Sequence, residues 1–137
     1  MGADTWAGTD FQNSKILMWV YHQSTGWLYR EGKLVATGYS GNGEGLNNPA
    51  MEHVRDVGPI PAGLWRIDDT PFDHPKRGPF CLRLAPRNHA ARGRDGFLIH
   101  GDNKKGDRSA SRGCIIFSRS VRTQIYESKD QELLVVV

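Results

Sequence analysis

The sequence predicts a mainly β domain, sandwich-like or barrel-like, with one short helix near the C-terminus. Three observations carry that reading. Short apolar segments rich in strand formers recur along the chain, separated by glycine-, proline- and asparagine-containing turns, the pattern of many short strands. Helical spacing occurs only in "SRSVRTQIYESKD" (118–130), through Val121, Ile125 and Tyr126, with Ser118 or Ser120 placed to cap the first turn. The length, 137 residues, suits a single core, and 38% hydrophobic with 24% charged residues of mixed sign suits a folded domain.

In chain order, residues 1–14 are read as an N-terminal extension and 15–137 as one domain. "KILMWVYH" (15–22) is an apolar strand, and "GWLYREGKLVATGYSG" (26–41) holds two strands around a Glu31-Gly32 turn. "GNGEGLNNP" (41–49) has no periodicity and is a loop, the expected rim of a site. "VGPIPAGLWRIDD" (57–69) enters the strand "LWRI" through a stiff extended segment containing Pro59 and Pro61. "FCLRLAP" (80–86) alternates, with Phe80, Leu82 and Leu84 on one face and Cys81, Arg83 and Ala85 on the other. "GFLIHG" and "GCIIFS" are two more strands, and "ELLVVV" closes the chain as a buried one.

No apolar run approaches the 18 or so residues of a membrane span, and the first residues lack the basic and apolar regions of a secretory signal. Cys81 and Cys114 allow at most one disulfide and have no paired metal-ligand spacing, and the five histidines show no HExxH pattern, so neither metal nor cofactor is expected. Between Lys76 and Arg122 stand twelve Lys and Arg against Asp95, Asp102 and Asp107. That basic segment is either a solvated face or an attractor for an anionic polymer such as nucleic acid or cell wall.

"FLIHGDNKKGDRSASRGCIIF" (97–117) places His100 at the end of one strand and Cys114 at the start of the next. With Phe97 and Ile99 turned to the core, Leu98 and His100 face the other way. A thiol becomes a nucleophile when its pKa falls and a proton carrier is near, and an imidazole within reach supplies both. Lys104, Lys105, Arg108 and Arg112 would favour the anion, while Gly101 and Gly113 let backbone approach and offer N–H groups to an oxyanion. The alternative is that His100 and Cys114 are packing residues. Cys81, mid-strand and without a histidine partner in its segment, is read as structural.

The "IHG" and "SRGCII" segments resemble the catalytic motif of the L,D-transpeptidase superfamily, in which a strand-ending histidine and glycine precede Ser or Thr, a variable residue, glycine and the nucleophilic cysteine. "GPIPAGLWRI" resembles the same superfamily's strand entry. More narrowly, "GYSGNGEGLNNP", "GPIPAG" and "HGD…SRGCIIF" resemble the Tlde1 family, compact L,D-transpeptidase-like effectors of bacterial type VI secretion. The chain departs from the superfamily pattern in the 14-position spacing of His100 and Cys114, in Phe117 where arginine or asparagine is common, and in Arg112 where histidine is frequent.

The resemblance implies an L,D-transpeptidase-like β-sandwich and a cysteine acyl-transfer enzyme acting on peptidoglycan stem peptides, as carboxypeptidase or in D-amino acid exchange. Cys114 is the implied nucleophile and His100 the proton carrier, with oxyanion donors near Gly113 and Cys114. Ser111 and Asp102 are candidates for orienting the imidazole or loop, or are plain turn residues, with Gly101 and Arg112 beside them. Tyr39, Ser40, Gly41, Asn47 and Asn48 are the implied substrate rim. A monomer is expected, made in the cytoplasm and acting in the periplasm of a target bacterium, with a cognate immunity protein and a secretion-apparatus component as partners and no nucleic acid. Alternatives are a non-catalytic basic β-domain, or a housekeeping or phage L,D-transpeptidase. An NlpC/P60-type peptidase fits less well, because there the cysteine usually precedes the histidine.

Overall fold

Glu31 and Gly32 both take positive φ, 51° and 76°, and make the tight turn between β2 (Trp27–Arg30) and β3 (Lys33–Thr37). In the computed structural model, which describes residues 18–137, β2 pairs on its other side with β1 (Trp19–His22). The predicted first strand begins at Trp19; its residues 15–17 lie outside the described part. After β4 (Tyr39–Ser40) come two 3-10 turns, Gly43–Gly45 and Pro49–Met51, and then β5 (Gly63–Ile67), β6 (Phe72–His74) and β7 (Gly78–Arg87). A third 3-10 turn (Ala91–Gly93), β8 (Leu98–His100), β9 (Ile115–Ile116), the helix α1 (Arg119–Ser128) and β10 (Glu132–Val136) complete the chain.

The strands run in the order β3-β2-β1-β10-β5-β7-β8-β9-β4, with β6 on β7. The two ends of that path, β3 and β4, are joined in sequence by Gly38 alone, so the sheet must curl back on itself. Gly38 suits the crossing because a Cβ there would fall on the Ile116 carbonyl and the Phe117 ring. Enclosed by the curl is a core of Trp19, Tyr21, Leu28, Trp65, Leu82, Ile99, Ile115, Leu133 and neighbours.

The C-terminal strand is central, parallel to β1 and antiparallel to β5, and buries Leu133 and Val135. The helix is where the sequence placed it. Ser118 caps it by accepting the Val121 N–H, and Lys129 ends it in the left-handed region at φ 65°. One expectation fails within β7: Phe80 has φ 56°, which interrupts the alternation at that residue, while Leu82 and Leu84 turn to the core and Cys81 to the opposite face as the pattern predicts. Phe80 then packs edge-on to Tyr126 and beneath Arg119 instead of lying with Leu82.

Candidate active site

The parallel pair β8–β9 sets the site. Ile99 lies opposite Ile115 and His100 opposite Ile116, while across β7 Ile99 faces Leu82. Ile99, Ile115 and Leu82 point into the core, so the residues between them point away from it, as expected from the alternation of "FLIH". Extending the register by one residue puts Cys114 beside Leu98 and Cys81 beside His100 on this second face. Cys81, Leu98 and Cys114 there form a small apolar cluster against Phe72. The strand β8 separates the cysteines by two strand spacings, about 10 Å, beyond the roughly 7 Å Cα separation that a disulfide spans. Both thiols are free.

His100 is 2% exposed. Its Nδ1 lies 2.8 Å from the Gly101 carbonyl oxygen, which can only accept, so Nδ1 carries the proton and Nε2 is the free base. Nε2 is buried without a hydrogen-bond partner. The Cys114 sulfur accepts the Leu98 N–H at 3.3 Å and its thiol points at the Gly96 carbonyl at 3.8 Å. Imidazole and thiol are therefore not bonded to one another. Burial lowers the His100 pKa to about 4 and raises that of the Cys114 thiol, against the lowered thiol pKa that the sequence suggests, so both rest uncharged. The Leu98 N–H and the charges of Arg77 and Arg94 oppose the rise at the thiol; the expected loop cations Lys104, Lys105, Arg108 and Arg112 are not among these leading influences.

Ser111 is completely buried and acts on the loop backbone. Its hydroxyl accepts N–H bonds from Gly41 (2.8 Å) and Gly113 (3.1 Å) and donates to the Cys114 carbonyl (2.6 Å). The Gly113 N–H, one of the two expected oxyanion donors, is thus already engaged. Asp102 does not reach the imidazole; it accepts from the Tyr39 hydroxyl at 2.7 Å and the Asn103 N–H at 2.9 Å. Tyr39 also accepts the Ala110 N–H, so one phenol ties both ends of the 101–113 loop. Burial and Asp102 hold its pKa up at about 12, and it remains a donor.

The expected substrate rim is largely interior. Tyr39, Ser40 and Gly41 are buried, with Ser40 bridging the Gly113 carbonyl and the Ile60 N–H. Asn47, in the left-handed region at φ 50°, accepts the Ser40 N–H, and Asn48 caps the turn at Pro49–Met51. Tyr39, Ser40 and Gly41 thus hold the loop behind the cysteine. Gly41 and Gly113 are required for close approach: a Cβ on the first would strike the Gly45 carbonyl, and on the second the Arg94 guanidinium.

Two arginines that the sequence shows only as part of a basic run are structural pins. Arg94 is 6% exposed and donates to the carbonyls of Glu52, Pro59, Gly58 and Arg112 at 2.7–3.1 Å, with its guanidinium over the Phe97 ring. Arg122, from α1, donates to the carbonyls of Phe80, Phe117 and Pro79 and lies against Gly101. A cleft of about 200 Å³ opens at His100, bounded by Gly101, Asp102, Asn103, Ser109, Ala110 and Arg112 of the loop and by Lys76 and Arg77 of the β6–β7 turn. That turn was not among the expected site segments, and its "HPKRGP" gave no signal beyond charge. Among the described residues no group of three or more His, Cys, Asp or Glu is placed to hold a metal.

The Tlde1 domain model matches residues 34–137. Solved structures similar to the chain include the Ldtfm–avibactam carbamoyl enzyme, with 15% identity over 88% of this chain and 49% of that one, at a TM-score of 0.50. Mycobacterium tuberculosis L,D-transpeptidase 1 is 16% identical over 88% of this chain and 62% of its own, with a TM-score of 0.48. The catalytic domain of Enterococcus faecium L,D-transpeptidase is 17% identical over 88% and 97%, with a TM-score of 0.46. The chain thus spans about half to two-thirds of the first two structures, 49% and 62%. A comparison with curated proteins gives no match. The fold is that of L,D-transpeptidase catalytic domains.

Proposed function

The chain belongs to the Tlde1 domain family, and on that premise we propose that it is a cysteine acyl-transfer enzyme of peptidoglycan stem peptides, working as an L,D-carboxypeptidase and in D-amino acid exchange. The observation that carries this reading is the buried, unpartnered Nε2 of His100 on the same sheet face as the Cys114 thiol, at a cleft. That nitrogen adds nothing to the fold, since leaving a buried acceptor unpaired costs about 1–3 kcal/mol.

Substrate entry brings the scissile carbonyl, between the third residue and the following D-residue, over Cys114. The thiol proton passes to Nε2 as sulfur bonds the carbonyl carbon, and the C–N bond breaks as His100 returns that proton to the leaving amine. The resulting thioester is resolved by water, giving a tripeptide, or by the amine of a D-amino acid, giving exchange; in both the attacking group gives its proton to His100 and the thiol is regained. With the Gly113 N–H engaged by Ser111, the Cys114 N–H is the remaining expected donor to the oxyanion. Mass spectrometry of muropeptides incubated with the protein, with and without D-methionine, tests the reading: D-Ala is lost or exchanged if it holds, and intact tetrapeptides refute it.

The pH dependence follows from the burial of His100. Only the neutral imidazole accepts a proton, so kcat/KM is expected to climb through pH about 4, the pKa in the fold, and to be level at pH 6.5. Because that pKa lies below the ordinary 6.5, the unfolded chain binds the proton first. Stability conferred by neutral His100 is complete above pH 6.5 and is lost, by about 3 kcal/mol, as pH falls to about 4. An acid limb at pH 6.5 in the rate profile would show a solvated imidazole and contradict this account.

Family membership also supports an antibacterial effector that is made in the cytoplasm, acts in a target cell's periplasm and is matched by an immunity protein. Expression directed to the periplasm of a sensitive bacterium is then expected to lyse it, and cytoplasmic expression to be tolerated. Equal toxicity from both compartments would place the target elsewhere.

A further inference from the structure

We propose that the cleft at His100 is a carboxylate site: Arg77 and Arg112 from its two walls, with Lys76, hold the free α-carboxylate of the D-residue that leaves and of the D-amino acid that replaces it. This makes the enzyme selective for uncapped C-termini. It rests on the acyl-transfer reading and adds the group that reading leaves unassigned, the part of the substrate beyond the scissile bond.

Three cations face one anion in the cleft, and that anion, Asp102, is engaged by Tyr39 and Asn103. Lys76, Arg77 and Arg112 take part in none of the ion pairs among the described residues. Their side chains have no hydrogen-bond partner there either, whereas Arg94 and Arg122 are saturated by carbonyls. The turn presenting the first pair is itself held, since His74 Nδ1 accepts the N–H groups of both Lys76 and Arg77 at 3.0 Å. The opposite wall is held too, for the Arg112 carbonyl is pinned by Arg94. A cleft of about 200 Å³ is smaller than the 300–1,000 Å³ or so of sites for larger ligands, and suits one small residue.

Planar guanidinium groups match a carboxylate better than an amide, which offers one acceptor and no charge. The position is also chemically apt. A carboxylate bound here places the adjoining amine beside the His100 ring that lines the cleft, and that imidazole must deliver the proton when the amine leaves and take one when a new amine attacks. It also offsets the charge of Arg77, which otherwise disfavours a proton on His100.

The test compares a tetrapeptide ending in D-Ala with its C-terminal amide as donors, and D-methionine with D-methioninamide as acceptors. The acids are expected to have kcat/KM at least ~10-fold higher, with the preference collapsing in Arg77→Gln and Arg112→Gln. The less basic amine of D-methioninamide would, without such a site, make it the better acceptor near neutral pH. Donors whose third residue carries or lacks a side-chain carboxylate identify the source; a preference that follows that group instead overturns the assignment, as does equal turnover of acid and amide. The same acid and amide are titrated into Cys114→Ala protein while the His100 imidazole signals are followed by NMR. Tighter binding of the acid supports the carboxylate site whether or not turnover occurs, and equal or absent binding refutes it. Lack of turnover alone counts against acyl transfer.

Discussion

Cys114→Ala protein is expected to lose at least about 10⁴-fold in the release of D-Ala from muropeptides, with its thermal transition nearly unchanged. The size follows from chemistry. Without sulfur no thioester forms, water must attack the amide directly, and the exchange reaction has no intermediate from which to proceed. The small stability effect follows from packing: Cys114 is 7% exposed in a minor cluster outside the main core, and its thiol's bond to Gly96 is long, at 3.8 Å. Losing one sulfur atom there costs about 1 kcal/mol. Cys81→Ala serves as the comparison. That side chain lies in the same cluster, so stability falls by a similar amount while turnover persists. Turnover by Cys114→Ala, or its loss in Cys81→Ala without unfolding, would reverse the assignment of the nucleophile.

Arg94→Met is expected to destabilise the protein by about 3–5 kcal/mol and to lower Tm by more than ~10 °C. Methionine keeps much of the stem but none of the donors, leaving the carbonyls of Glu52, Gly58, Pro59 and Arg112 without their charged partner in a buried setting. These carbonyls belong to the end of the Pro49–Met51 turn, to the strand-entry segment before β5 and to the loop carrying Cys114, so the fold and the site should loosen together. Arg92→Met is the control: its contact with Glu52 is a surface ion pair with the arginine side chain 58% exposed, worth about 1 kcal/mol or less. Thermal unfolding of both variants decides the matter, and an Arg94→Met protein within about 1 kcal/mol of wild type would show that water replaces the guanidinium.

Much of the fold was legible because strand and turn signals are local. The Glu31-Gly32 hairpin, the "LWRI" strand, the Ser118-capped helix and the split of Phe97 and Ile99 from Leu98 and His100 all depend on nearest neighbours and side-chain alternation. The break at Phe80 was not legible, since nothing in "GPFCLRL" distinguishes a residue with positive φ from one in a regular strand. Tyr39 and Ser40 are buried beside the cysteine loop and not on a solvent-facing rim, while Asn47 and Asn48 are half-buried and bond within residues 40–50. Polar residues in a glycine-rich segment look like a solvent-facing rim until the carbonyls and N–H groups they satisfy, those of Gly113, Ile60 and the loop ends, are seen beside them.

By itself, then, the sequence determined which residue types stand where: a histidine ending one strand, a cysteine just before the next, and glycines where side chains would obstruct. It did so because strand alternation and residue type are properties of short stretches of chain. Tertiary structure alone decided how those residues are charged and what stands around them. Burial keeps His100 and Cys114 neutral, Arg94 and Arg122 became pins, and Lys76 and Arg77 came to face Arg112 across the cleft. Desolvation and charge proximity depend on distances through space, and those are created only when the sheet curls and brings residues far apart in the chain to the same face.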